Sequence, residues 1–347
     1  MQMAGKPQDE CNGDKSAGPL PTLDSTEVFT YVAPWVIYAM SFSTSPGFPY
    51  RLALGSFLET YSNRVEVVQL NSDTKRFELK AEFDHPYPPT KIMWVPDLAG
   101  SRPDLLATSG DCIRIWQCGE QISLKAPLVN HRNTDYSAPL TSFDWNQDDP
   151  TLLGTASIDT TCTIWDVERE TVKTQLIAHD KEVYDFAFNK GVHQFASVGA
   201  DGSVRLFDLR NLQHSNIIYE SPIAAQLLRL SWNRLDDHYL ATIAMDCDAV
   251  TILDIRSPAM PVAELAGHHS SVNAVSWAPH STSHICTAGD DRQALIWDLQ
   301  KPVQGNAYIE PILSYTAEAE ISALQWSQAQ SEWVAIAYNQ SVQMLRV

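Results

Sequence analysis

Seven times along this chain a short β-type run closes on a bulky residue. The runs are VEVVQL (Val65 to Leu70), IRIWQC (Ile113 to Cys118), CTIWDV (Cys162 to Val167), VRLFDL (Val204 to Leu209), VTILDI (Val250 to Ile255), ALIWDL (Ala294 to Leu299) and VQMLRV (Val342 to Val347). Their bulky positions are Val68, Trp116, Trp165, Phe207, Leu253, Trp297 and Leu345, spaced by 48, 49, 42, 46, 44 and 48 residues. An aromatic precedes each by 19 to 26 residues: Phe42, Trp94, Trp145, Phe188, Trp232, Trp277 and Trp326. Small-residue strands such as LLATSGD and HICTAGDD lie between the two markers. Four strands every 42 to 49 residues make the blade of a β-propeller, and a lone blade cannot bury its apolar faces, so seven must stack around one axis.

The chain's end bears on closure. The seventh unit has three strands, ISALQWS, EWVAIAY and SVQMLRV. Residues Glu27 to Val32 (EVFTYV) form an extra strand before the first unit, and the expectation is that they supply the missing outer strand and remove two sheet edges. The reading is therefore all-β, with a flexible tail over 1–26 and a seven-bladed propeller over 27–347.

Composition excludes several classes. With 42 acidic and 24 basic residues the formal net charge is −18, which repels the phosphate backbone, so no direct nucleic-acid binding is expected. The longest nearly apolar run, Tyr31 to Phe42, is shorter than the roughly 20 residues of a membrane span, and the first residues lack a secretory pattern. Six cysteines without a CxxC pair suggest reduced thiols, no metal site and a nuclear and cytoplasmic location. No phosphate-binding glycine loop occurs, so no cofactor is expected.

Four histidines just before an aromatic strand each precede a hydroxyl, an aspartate and a bulky residue. The sets are His85, Thr108, Asp111 and Trp116; His131, Thr155, Asp159 and Trp165; His179, Ser197, Asp201 and Phe207; and His268, Thr287, Asp291 and Trp297. Such trios invite a hydrolase reading. A nucleophile occurs once, however, and four copies at blade spacing describe a structural network that satisfies buried polar groups, so no catalytic residue is assigned. Phe207 has no N–H, so its network should be the weaker, and Asp291 should matter more to stability than Asp201.

The segments FDHPYPPTK, DLLATSGD, APLTSFDWN, SIDTTCTIWD, TQLIAHDKEVYD, ADGSVRLFDLR, HICTAGDD, QALIWD and QMLRV resemble the Transparent Testa Glabra / Light-regulated WD group of plant WD-repeat proteins, which has close animal relatives. The likeness runs from about Tyr31 to Val347. It implies a non-catalytic scaffold that assembles MYB and basic helix-loop-helix transcription regulators in pigment, epidermal or circadian control, with kinase docking in the animal relatives. Position four before each inner aromatic (Tyr38, Thr90, Thr141, Tyr184, Leu228, Asn273, Ser322), with Glu182 and Glu320, should face partners on the histidine side. The alternative is a substrate receptor of a cullin–RING ubiquitin ligase. Adaptor-binding propellers often carry Trp-Asp-x-Arg, and Asp208 with Arg210 and Asp254 with Arg256 keep the Asp and Arg without the Trp.

Overall fold

The computed structural model describes residues 27–130, 138–300 and 309–347, and among these there is no α-helix. The strands group into seven four-stranded antiparallel sheets. Blade 1 comprises Ile37–Phe42, Arg51–Ser56, Asn63–Asn71 and Arg76–His85. Blade 2 comprises Ile92–Trp94, Leu105–Ser109, Ile113–Gln117 and Ser123–Leu128. Blade 3 follows as Leu140–Trp145, Leu152–Ser157, Thr161–Asp166 and Thr171–Ile177. Blade 4 is Val183–Phe188, Gln194–Gly199, Ser203–Asp208 and Asn211–Glu220. Blade 5 is Leu227–Trp232, Tyr239–Ala244, Ala249–Asp254 and Pro261–Ala266, and blade 6 is Val272–Trp277, His284–Gly289, Gln293–Asp298 and Leu313–Thr316.

Blade 7 closes the ring. Ala323–Trp326, Trp333–Tyr338 and Ser341–Arg346 pair in sequence, and Val28–Val32 adds the outer strand, in register from Val28 opposite Leu345 to Val32 opposite Ser341. The fold is the seven-bladed propeller, closed through its N-terminal strand. The 1–26 tail lies outside the described residues.

The repeated residues occupy equivalent places. All seven aromatics end the first strand of a blade and are buried, as are all seven third-strand bulky residues. In blade 3, Trp145 faces Leu153, which in turn faces Trp165. The apolar core is accordingly a circle of clusters between consecutive blades, such as Val95 and Leu105 of blade 2 with Phe143 and Trp145 of blade 3. Small residues permit the close blade spacing. A side chain added at Gly154 would meet the Phe186 ring of the next blade at 2.2 Å.

Candidate functional site

The first strands surround a central channel of about 520 Å³. One mouth carries the turns between second and third strands together with the histidines. The opposite face carries the turns between third and fourth strands.

On the histidine face, one network is complete among the described residues. Trp297 Nε1 donates to Thr287 Oγ1 at 2.9 Å, which lies 2.7 Å from His268 Nε2, while His268 Nδ1 is 2.9 Å from Asp291. One proton arrangement uses every donor: indole to hydroxyl, hydroxyl to Nε2, and Nδ1–H to carboxylate, with the imidazole neutral. Burial lowers the His268 pKa, consistent with that state. For Asp291, burial alone would raise the pKa, but the His269 amide and His268 outweigh it and hold the carboxyl low.

The other sets differ in ways set by turn length and sequence. In blade 4, His179 bridges Ser197 (2.8 Å) and Asp201 (3.0 Å). Phe207 stacks on Phe195 with centroids 4.8 Å apart, and Ser203 and Arg205 also bond Asp201 at 2.8 and 2.9 Å. The expected weakness at Phe207 is thus offset by two added donors. In blade 2, Trp116 and His85 both reach Thr108, but Asp111 does not reach His85. Thr108 precedes Asp111 by three residues, whereas the blade 4 and 6 pairs are four apart. The shorter turn sends Asp111 to Arg114 (2.6 Å), and His85 Nδ1 meets the Tyr87 carbonyl instead. In blade 3, Trp165 donates to Thr155, Asp159 caps its own turn through Thr161, and His131 lies outside the described residues.

The lowered pKa values make a pH prediction. His85 and His268 are held neutral by burial, while in the unfolded chain they take up protons near pH 6.5. The unfolded state then binds more protons, so stability is full above about 6.5 and declines as pH falls below it. The slope is up to about 1.4 kcal/mol per pH unit for each imidazole. Thermal melts from pH 8 to 5 should show this decline, and the double variant His85→Gln, His268→Gln should show a flatter one. An unchanged slope in the variant would refute the assignment.

Tyr38, Thr90, Thr141, Asn273 and Ser322 line the channel mouth; Tyr184 and Leu228 stand outside it, Tyr184 donating to Gln226 at 2.9 Å. Glu182 and Glu320 are exposed. Three of the expected contacts have another task. Thr90 donates to the Leu140 carbonyl (3.0 Å), Thr141 to Val183 (2.7 Å) and Asn273 to Ile321 (2.9 Å), each in or leading into the next blade. Their side chains clamp neighbouring blades.

Two buried aspartates that the repeat pattern does not single out extend this inter-blade bracing. Asp185 accepts from Ser142 (2.5 Å) and the Leu230 amide (2.8 Å), with Lys91 Nζ at 3.5 Å, so it joins blades 2, 3, 4 and 5. Asp144 accepts from the Phe188 amide (2.8 Å) and Arg234 (3.1 Å). A grouping of Asp236, Asp237 and His238 could offer three metal ligands, and mutual pairing at 2.9 and 3.3 Å accounts for it without an ion.

On the opposite face, Asp208 and Asp254 end the third strands of adjacent blades. Arg210 returns to Asp208 through Nε and Nη2, and Arg256 does the same to Asp254 at 2.9 and 2.6 Å. Both arginine side chains remain more than half exposed. The corresponding turns of blades 3 and 6 carry Glu168 and Gln300, so the doubled Asp-x-Arg is particular to blades 4 and 5.

The WD domain, G-beta repeat family matches residues 127–166, 170–208 and 259–298. The DDB1- and CUL4-associated factor 7 homolog of Dictyostelium discoideum is 56% identical, over 94% of this chain and the whole of that protein. An uncharacterised WD repeat-containing protein of Schizosaccharomyces pombe is 35% identical over 91% of this chain and 89% of its own length. A WD repeat-containing protein of Saccharomyces cerevisiae is 41% identical over 72% of this chain and 54% of its own. These likenesses correct the reading as a scaffold for MYB and basic helix-loop-helix regulators, because the relative matched along its whole length is named for DDB1 and CUL4. The protein is a non-catalytic, protein-binding propeller. It belongs to the WD-repeat family that includes the DDB1- and CUL4-associated factor 7 homolog.

Proposed function

We propose that this chain is a substrate receptor of a DDB1–CUL4 ubiquitin ligase, joining the adaptor on one face to client proteins on the other. The observation that carries this is the adjacent pair of Asp-x-Arg turns on blades 4 and 5. Each aspartate fixes its guanidinium before any partner arrives, and no described residue takes up Nη1 of Arg210 or Arg256. Two oriented forks suit bidentate contacts with a partner's carboxylates or carbonyls. The likeness to a protein named for DDB1 and CUL4 supports the same assignment. A nuclear and cytoplasmic location belongs to this reading, supported by the isolated buried thiols of Cys112, Cys162 and Cys286.

The double variant Arg210→Ala, Arg256→Ala should bind purified DDB1 at least about tenfold more weakly, since truncating a desolvated charge contact costs about 2 kcal/mol or more. Its melting temperature should be nearly unchanged, because exposed ion pairs contribute little to folding. Undiminished DDB1 binding by a folded variant would overturn the adaptor assignment.

A further inference from the structure

Blade 1 departs from the others in one turn. The connection between its second and third strands, residues 57–62, is six residues long, while the same turn takes two to four in every other blade. It is also held rigidly. Buried Asn63 accepts from the Ser56 hydroxyl and the Leu58 amide, both at 2.8 Å, and donates to the Leu58 and Thr60 carbonyls at 3.1 and 2.9 Å. All of its amide's hydrogen-bonding capacity serves to shape this loop.

Upon this support stand four exposed rings. Phe57 lies 5.2 Å from Tyr38 at the channel mouth, and Tyr61 lies 5.8 Å from Tyr87 in the linker to blade 2. Val36, whose carbonyl accepts from the Phe57 amide, adds a fifth exposed apolar side chain. Tyr61 is 83% exposed. Grouped apolar side chains in water mark a docking surface, and rings held in advance lose little freedom when covered.

Charge indicates the occupant. The segments that build the arc, residues 33–38, 57–62 and 86–90, contain one charged side chain, Glu59, and no cation. Neighbouring blade 7 contributes exposed Glu318 and Glu320 on the same face. Lys91, the nearest cation in sequence, is turned to Ser142 and Asp185.

We propose that this arc docks an extended basic segment of a client protein, with arginines against the Tyr61 and Tyr87 rings and an aliphatic side chain beside Tyr38, Phe57 and Val36. Cation–π and electrostatic attraction then act together. The client role rests on the receptor reading above. The docking itself does not, because it is tested without DDB1.

The probe is a fluorescent twelve-residue peptide alternating arginine and leucine, titrated with the full chain at physiological ionic strength. Alternating glutamate–leucine and arginine–glycine peptides serve as controls. Both controls should bind at least tenfold more weakly, and Tyr61→Ser with Phe57→Ser should weaken the arginine–leucine peptide tenfold without moving the melting temperature. Equal binding of the arginine–glycine peptide would show a diffuse charge effect, and undiminished binding by the variant would place the contact elsewhere. Either result overturns the proposal. So would sedimentation showing a dimer of this chain that Tyr61→Ser dissolves, since a second copy would then occupy the arc.

Discussion

A chain beginning at Tyr38 is expected to lose most of its cooperative stability and to aggregate. Val28–Val32 pairs with Ser341–Arg346 along its whole length, so its removal leaves that strand as an open edge. Several other contacts leave with it. The Tyr31 hydroxyl donates to Glu66 at 2.7 Å, Gln343 donates to Thr30 at 3.2 Å, and the Phe29 ring sits 5.6 Å from Trp333. Arg346 loses its pair with Glu27 at 2.8 Å, and buried Ala33 and Trp35 vanish from the seam between blades 7 and 1. At about 1 kcal/mol for each backbone hydrogen bond and 1.5–3 for each large apolar side chain, the loss is comparable to the 5–15 kcal/mol stability of a typical domain. The melting temperature should fall by at least ~10 °C, and a synthetic peptide spanning residues 27–36 should restore part of it. A truncated chain that melts like the full one would show the ring to be closed by other means.

The closing strand was legible because it answers a count: the seventh unit is one strand short. The same logic made the core legible, since a residue that recurs in every unit packs at an equivalent place in every blade. Contacts made once carry no such signal. Asp144 and Asp185 each appear at a single blade position, and their partners in other blades lie 43 to 94 residues away, so only the closed ring reveals them. The blade 2 turn is an intermediate case: the missing residue between Thr108 and Asp111 is visible in the sequence, but its redirection of Asp111 to Arg114 is not.

The doubled Asp-x-Arg of blades 4 and 5 is legible in the sequence, without the preceding tryptophan. Phe207 and Leu253 hold the Trp position, and both are buried, only 3% and 2% exposed. In the proposed adaptor contact the partner meets the exposed Asp–Arg fork and not the buried ring, so the identity of that core residue says little about docking. The blade core and the docking rim answer to different physics, one to volume and the other to exposed donors.

That separation bears on how the two histidine networks respond to losing their aspartate. Asp201→Ala should destabilise by about 3–5 kcal/mol and Asp291→Ala by about 2–3, as read from urea midpoints with unchanged slopes. The indole N–H of Trp297 favoured the opposite order, but it acts on Thr287 and leaves the carboxylate's own donors unchanged. Asp291 accepts from His268 and from the amides of His269 and Gln293. Asp201 accepts from His179, from both the amide and hydroxyl of Ser203, and from Arg205, whose side chain is only 16% exposed. Removing Asp201 therefore strands a mostly buried guanidinium as well as an imidazole, and the remaining Asp180 partner is largely exposed. Asp201→Asn should lie between wild type and Asp201→Ala, because it keeps a neutral acceptor while losing the charge that Arg205 needs. An equal loss at the two aspartates, or a larger one at Asp291, would mean that the indole–hydroxyl end of the network governs its stability and that Arg205 adds nothing.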